Sequence, residues 1–162
     1  MQIQASEGKG EHIMTRDEFI KKVDEKVKLI RNEKEFTQDK MAEILGISKK
    51  TLVQIEKGRA SLGWSVAIAV STIFKDSEIL QITFGGDPQD IILSLAFENY
   101  EGNYEKTLGG KIWWKDIETK GDYRIQQNII SKHYRILDPA DRRICSSFEQ
   151  EYIKERLEEL NA

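Results

Sequence analysis

The residues that staple or metallate small proteins are scarce here: one cysteine, Cys145, and two histidines, His12 and His133, in 162 residues. A single cysteine excludes an internal disulfide, and with those histidines it makes no recognisable zinc-ligand spacing, so no metal site is expected. No glycine-rich phosphate loop and no H-E-x-x-H pattern occurs. No apolar stretch approaches the roughly 20 positions of a membrane span, and no signal-peptide pattern opens the chain. The expectation is a cytoplasmic protein without membrane contact. Catalysis has equally little support: His133 has no serine or cysteine partner at a turn, Cys145 reads as a small packing residue, and Glu158 and Glu159 read as helix surface. Neither enzymatic activity nor a cofactor is expected.

What is present is a charge-rich globular composition, 33% charged and 39% hydrophobic with a formal net charge of −3, enough for one ordinary domain or two small ones. Wholesale wrapping of nucleic acid does not fit that balance, but local charge decides specific contacts. Between Gly46 and Gly63, Lys49, Lys50, Lys57 and Arg59 face the single anion Glu56, a net of +3.

Periodicity divides the chain. Residues 1–14 lack it and read as a flexible tail. Thr15 and Glu18 form a capping box ahead of a helix whose apolar stripe is Phe19, Ile20, Val23, Val27 and Ile30. A second helix starts at Thr37, buries Met41, Ala42, Ile44 and Leu45, and stops at Gly46, where positive φ is needed. Ser48 caps a short third helix with Leu52, Val53 and Ile55 inward. A fourth runs from Leu62 to Phe74, and a fifth from Asp76 or Ser77 to Gly85-Gly86. The sequence GGDP, Gly85 to Pro88, is the strongest break, with Asp87 as N-cap. Residues 87–110 read as a helical connector: an apolar helix from Ile91 to Phe97, then a polar, glycine-rich stretch. From Lys111 the period becomes two, predicting a four-stranded antiparallel meander in KIWWKDIE, DYRIQQNII, HYRIL and RRICS. A final helix, capped by Ser147 and Gln150, presents Phe148, Tyr152, Ile153, Leu157 and Leu160 to the sheet. The fold class is therefore α+β, with residues 15–86 forming a helix-turn-helix domain and residues 111–162 a sheet-plus-helix domain.

A helix-turn-helix needs a small residue at its turn, apolar residues inside the elbow and polar ones at the exposed start of the second helix, which enters the major groove. Gly46, then Ile47 and Leu52, then Lys49, Lys50, Thr51 and Gln54 meet those demands. Lysine donates to guanine O6/N7 and glutamine pairs with adenine's N6/N7 edge, whereas Thr37, Lys57 and Arg59 suit phosphates. With TQ at Thr37-Gln38, Ala42, LGIS at Leu45 to Ser48 and IEKG at Ile55 to Gly58, the span from about Ile20 to Phe84 resembles the Cro/cI-type, or XRE, helix-turn-helix regulators. The resemblance implies a five-helix, lambda-repressor-like domain binding a double-stranded operator as a homodimer. It further implies that Gln38 bonds a phosphate and braces the recognition helix. One departure is SLGWS, Ser61 to Ser65, where many members carry a proline before the fourth helix.

The C-terminal part lies outside that resemblance, which implies no defined activity for it. Alternation along YRIQQNII puts Tyr123, Ile125 and Ile129 on a core face and Arg124, Gln126 and Asn128 on the other. Arg135, Arg143 and His133 join the second face, which is expected to be solvent-exposed and cationic and could meet a protein partner or a small anionic effector. The leading reading is a transcription regulator, a repressor, whose dimer contact is the helix from Ile91 to Phe97. Its rival is an antitoxin-like interaction protein whose C-terminal module captures a protein and whose DNA binding is autoregulatory.

Overall fold

The computed structural model describes residues 13–101 and 112–162; residues 1–12 of the expected tail and 102–111 of the expected connector lie outside the described residues. Met14, placed by sequence at the end of the tail, is instead buried in the helical core. Helix α1, Arg16–Glu33, starts where Thr15 Oγ accepts from Glu18 N at 3.2 Å. Its side chains Phe19, Val23, Val27 and Ile30 fall on one face at three- and four-residue steps and are fully buried. Helices α2, Gln38–Leu45, and α3, Lys49–Glu56, follow, then α4, Gly63–Ile73, and α5, Glu78–Phe84. Helix α1 is the hub, packing on α3, α4 and α5.

The SLGWS departure resolves locally. Leu62 precedes α4 without a side-chain cap, and its N–H donates across to Asp24 Oδ1 of α1 at 2.8 Å. Gly63 takes the positive φ of 72° that brings Trp64 edge-on to Phe19, with ring centroids 5.8 Å apart and the Arg16 guanidinium 4.6 Å from the Trp64 ring.

Past the left-handed Gly85, helix α6, Gln89–Phe97, does not behave as a connector. It packs on α4, and Ile91 and Ile92 belong to the same buried cluster as α1 to α5. Of the helix expected to supply a dimer contact, Ile91 and Ile92 are covered within the chain, whereas Leu93, Leu95 and Ala96 are partly buried and Phe97 at its end is exposed.

Strands β1, Asn99–Glu101, β2, Trp114–Lys120, β3, Tyr123–Asn128, β4, Tyr134–Leu137, and β5, Arg143–Ser147, precede helix α7, Gln150–Leu160. They form an antiparallel sheet in the order β1-β5-β4-β3-β2. The four meander strands lie where period two put them. The three-residue β1 does not, because it sits in the stretch read as connector and is too short to show a period. At the start of α7, Ser147 Oγ accepts from Glu149 N at 3.0 Å and the cap residue is Glu149, so the expected Ser147-Gln150 box is replaced by a tight turn. Helix α7 buries Ile153 and Leu157 against Ile125, Tyr134, Ile136 and Cys145.

The opposite face of the sheet abuts the helices. Phe148, expected to line α7, joins the N-terminal core instead, and Asn128 Nδ2 donates to Gly85 O at 2.7 Å. The sheet is thus covered on both sides over much of its area, unlike a one-sided antiparallel sheet with a solvated face. No helix among the described residues is long and apolar enough to cross a membrane.

Candidate nucleic-acid interface

Three short-range devices build the elbow. Thr37 Oγ1 accepts from Lys40 N at 3.1 Å and opens α2; Gly46, at φ 69°, ends it in the left-handed conformation; Ser48 Oγ accepts from Thr51 N at 3.0 Å and opens α3. Met41, Ala42 and Leu45 from α2 and Leu52 and Ile55 from α3 are buried behind it. The inward set is fixed by helical spacing, so Lys49, Lys50 and Thr51 are left exposed at the leading turn of α3, with Gln54 half-buried one turn on.

Lys49 Nζ lies 3.0 Å from Asp39 Oδ2, but both groups are largely exposed, and such a pair is weak and readily exchanged for another anion. Ser48 Oγ lies 2.8 Å from Thr51 Oγ1, which ties the Thr51 side chain to the cap. Lys57 and Arg59 are exposed on the turn beyond α3, where Gly58 takes φ 72°. Thr37 is exposed at the start of α2. The expected DNA-binding side chains other than Gln38 therefore share the outer side of the elbow or its two ends.

Gln38 turns inward. Its Nε2 donates to Glu56 Oε2 at 2.7 Å, while Arg31 Nε of α1 donates to Glu56 Oε1 at 2.6 Å. Arg31 Nη1 also donates to Phe36 O at 3.0 Å. The Glu56 side chain is only 4% exposed, so both its oxygens are satisfied out of water and the end of α3 is tied to α1 and α2 together. Sequence reasoning counted Glu56 merely as the lone anion of a basic stretch. The available signal was its position four residues after Leu52, on the edge of the buried stripe.

The C-terminal candidates do not form an exposed cationic face. Arg135 is 5% and Arg143 8% exposed, and Arg124 keeps about a third of its side chain in solvent. Arg135 donates through Nε and Nη2 to Gln126 Oε1 at 3.0 and 2.9 Å and stacks 3.8 Å from the Trp114 ring. Burial, reinforced by Arg124, lowers its pKa to about 10. Arg143 Nη1 donates to Asp90 Oδ1 of α6, and Arg124 Nη2 to Asp141 Oδ1. Alternation placed these residues on a common face, but that face is turned toward the helices and other polar side chains rather than toward solvent.

His133 lies in the same seam. Its Nδ1 contacts Ser131 Oγ, and its Nε2, 3.8 Å from Asp90 Oδ2, has no hydrogen-bond partner. The ring is edge-on to Trp114 at 4.9 Å and tilted against Phe148 at 5.7 Å. Burial, then the charge of Arg135, lowers its pKa to about 3, so the ring is neutral at ordinary pH. Serine on Nδ1 and carboxylate toward Nε2, with all three residues buried, describe a polar interlock between α6 and the sheet. Among the described residues, no group of three or more His, Cys, Asp or Glu is placed to hold a metal ion.

A family model described as a helix-turn-helix domain matches residues 25–80, which contain α2, the Gly46 turn and α3. No curated protein and no solved structure matches the chain. The helix-turn-helix match makes DNA the partner to which this elbow points.

Proposed function

We propose that the chain is a sequence-specific double-stranded DNA-binding transcription regulator, a repressor of the XRE type, that reads the major groove with α3 and acts as a homodimer. The carrying observation is the asymmetry of α3: its outer side presents Lys49, Lys50, Thr51 and Gln54, while its end is held from behind by Glu56, Gln38 and Arg31. A recognition element must be both open to bases and fixed in angle, and this helix is both. Lys57, Arg59 and Thr37 are exposed, which supports their assignment to phosphates, contacts that position the elbow without specifying sequence. The arginine face that could have met a protein partner or an anionic effector is buried at Arg135 and Arg143, so it lends the antitoxin-like reading no support.

Selecting bound duplexes from a random pool tests the reading. The full chain should enrich a two-fold symmetric sequence with half-sites roughly one helical turn apart. Gln54→Ala should relax one position in each half-site and cost about 1–3 kcal/mol at the preferred base, whereas Lys57→Ala should weaken all duplexes alike and flatten the salt dependence. An unaltered selected sequence for Gln54→Ala would remove Gln54 from the reading set.

A further inference from the structure

We propose that the apolar patch where the end of α5 meets the β3–β4 turn is the two-fold contact between two copies of this chain. The inference rests on the DNA-binding reading above, which calls for paired half-sites, and on a surface that straddles both parts of the molecule. Ile82, Ile112, Ile129 and Ile130 are 61%, 77%, 42% and 39% exposed. Two hydrogen bonds draw together the segments that carry them: the Asn128 side chain donates through Nδ2 to Gly85 O, three residues beyond Ile82, and Ile129 N donates to the carbonyl of Trp113, next to Ile112, at 2.8 Å. A Cβ placed on Gly86 would stand 3.9 Å from Trp113 Cδ1.

Size and charge select the occupant. The four isoleucines expose on the order of 400 Å², the scale of a functional patch on a monomer. That is also about the apolar share of the ~800 Å² each partner contributes to a standard interface. The four isoleucines and Trp113 carry no ionisable group, so the patch meets its own copy without like-charge repulsion. Asp87 and Lys132, exposed and of opposite sign, lie two residues beyond Gly85 and Ile130, and a two-fold axis can set them against each other across the contact. Ile91 and Ile92 of α6 are already covered, and the β2 edge is guarded by exposed Lys115, Asp116, Glu118 and Lys120 and by a register shift between Asp116 and Glu118.

Sedimentation equilibrium on the full chain tests this. The parent should be a dimer at micromolar concentration, and Ile82→Glu with Ile112→Glu should make it monomeric while the melting transition stays in place. On DNA, the double variant should keep its affinity for a fragment with a single half-site and lose at least tenfold on the paired site. Should the charged variants lose cooperative melting, Ile130→Cys decides: Cys145 is the sole native cysteine and is buried, so copper-phenanthroline oxidation should give a covalent dimer through the introduced thiol. A parent that is monomeric up to about 100 μM, or a dimer indifferent to both substitutions, overturns the proposal. In either case a Gln54-dependent preference on single half-sites leaves the DNA reading standing. A patch-dependent dimer that shows no sequence preference supports the contact and removes the DNA reading instead.

Discussion

Arg143 of β5 donates to Asp90 of α6 across the seam between the sheet and the helices, and both side chains are more than nine-tenths out of solvent. A buried pair of this kind contributes modestly compared with an apolar replacement but is costly to break, because removal of one partner strands the other charge. We expect Asp90→Ala or Arg143→Ala to lower the unfolding free energy by about 3–5 kcal/mol, and Asp90→Leu combined with Arg143→Met to recover a large part of it. Urea denaturation of the three variants measures this. Single variants within about 0.5 kcal/mol of the parent would show that the seam does not depend on the pair.

The histidine on the other side of Asp90 gives the seam a pH dependence. His133 has a pKa of about 3 when folded against an ordinary value of 6.5. Between those values the unfolded chain binds a proton that the folded chain does not, so stability is full above about pH 6.5 and falls as the pH drops through the window. The limiting slope is about 1.4 kcal/mol per pH unit. Comparing the parent with His133→Gln between pH 7 and 5, above the range in which carboxylates titrate, isolates this residue. The parent should lose stability over that interval and the variant should not; parallel curves would mean that His133 takes up its proton as readily in the folded protein as in the unfolded chain.

Two left-handed glycines that look alike in sequence should respond differently to alanine. At Gly46, φ is 69° and a Cβ meets nothing within 4 Å, so Gly46→Ala carries backbone strain alone, about 1–3 kcal/mol. At Gly85, φ is 75° and the Cβ would fall 2.2 Å from Asn128 Oδ1. The Asn128 side chain cannot simply swing away. It donates to Gly85 O at 2.7 Å and accepts from Ile130 N and Ser131 N at 2.9 and 3.0 Å, so moving it abandons three hydrogen bonds in a buried turn. Gly85→Ala should therefore lower the melting temperature by more than Gly46→Ala does. The reverse order would show that the sheet yields at this point.

The helices were legible because their determinants are local. Thr15, Thr37 and Ser48 each cap a helix through a hydroxyl three residues from the amide it receives, and the stripe of Phe19, Val23, Val27 and Ile30 states its own period. What escaped is what depends on distant partners. Glu56 finds Arg31 across 25 positions, and Asn128 finds Gly85 across 43. Alternation correctly put Gln126, Arg135 and Arg143 together, but a polar strand face reads the same whether it meets water or a set of matched hydrogen-bond partners. The elbow could be assembled from neighbouring residues, and the seam could not.

That difference decides what becomes of a chain cut after Gly86, at the strongest break in the sequence. A boundary at this glycine pair suggests that residues 1–86 fold alone. The core crosses it: Ile91, Ile92 and Phe148 are buried in the same cluster as Phe19, Val70 and Phe84. Each such side chain is worth about 1.5–3 kcal/mol when fully buried, and losing three of them is comparable with the 5–15 kcal/mol that holds a typical domain together. We expect residues 1–86 to retain helical circular dichroism but to melt without a sharp transition and to expose apolar surface to a hydrophobic dye. Extending the chain through Phe97 restores Ile91 and Ile92 and should sharpen the transition, though to a lower temperature than that of the full chain, which alone supplies Phe148 and the Arg143 contact to Asp90. A cooperative melt of residues 1–86 within a few degrees of the full chain would show instead that the helices form a complete unit and that the sheet is only laid against it.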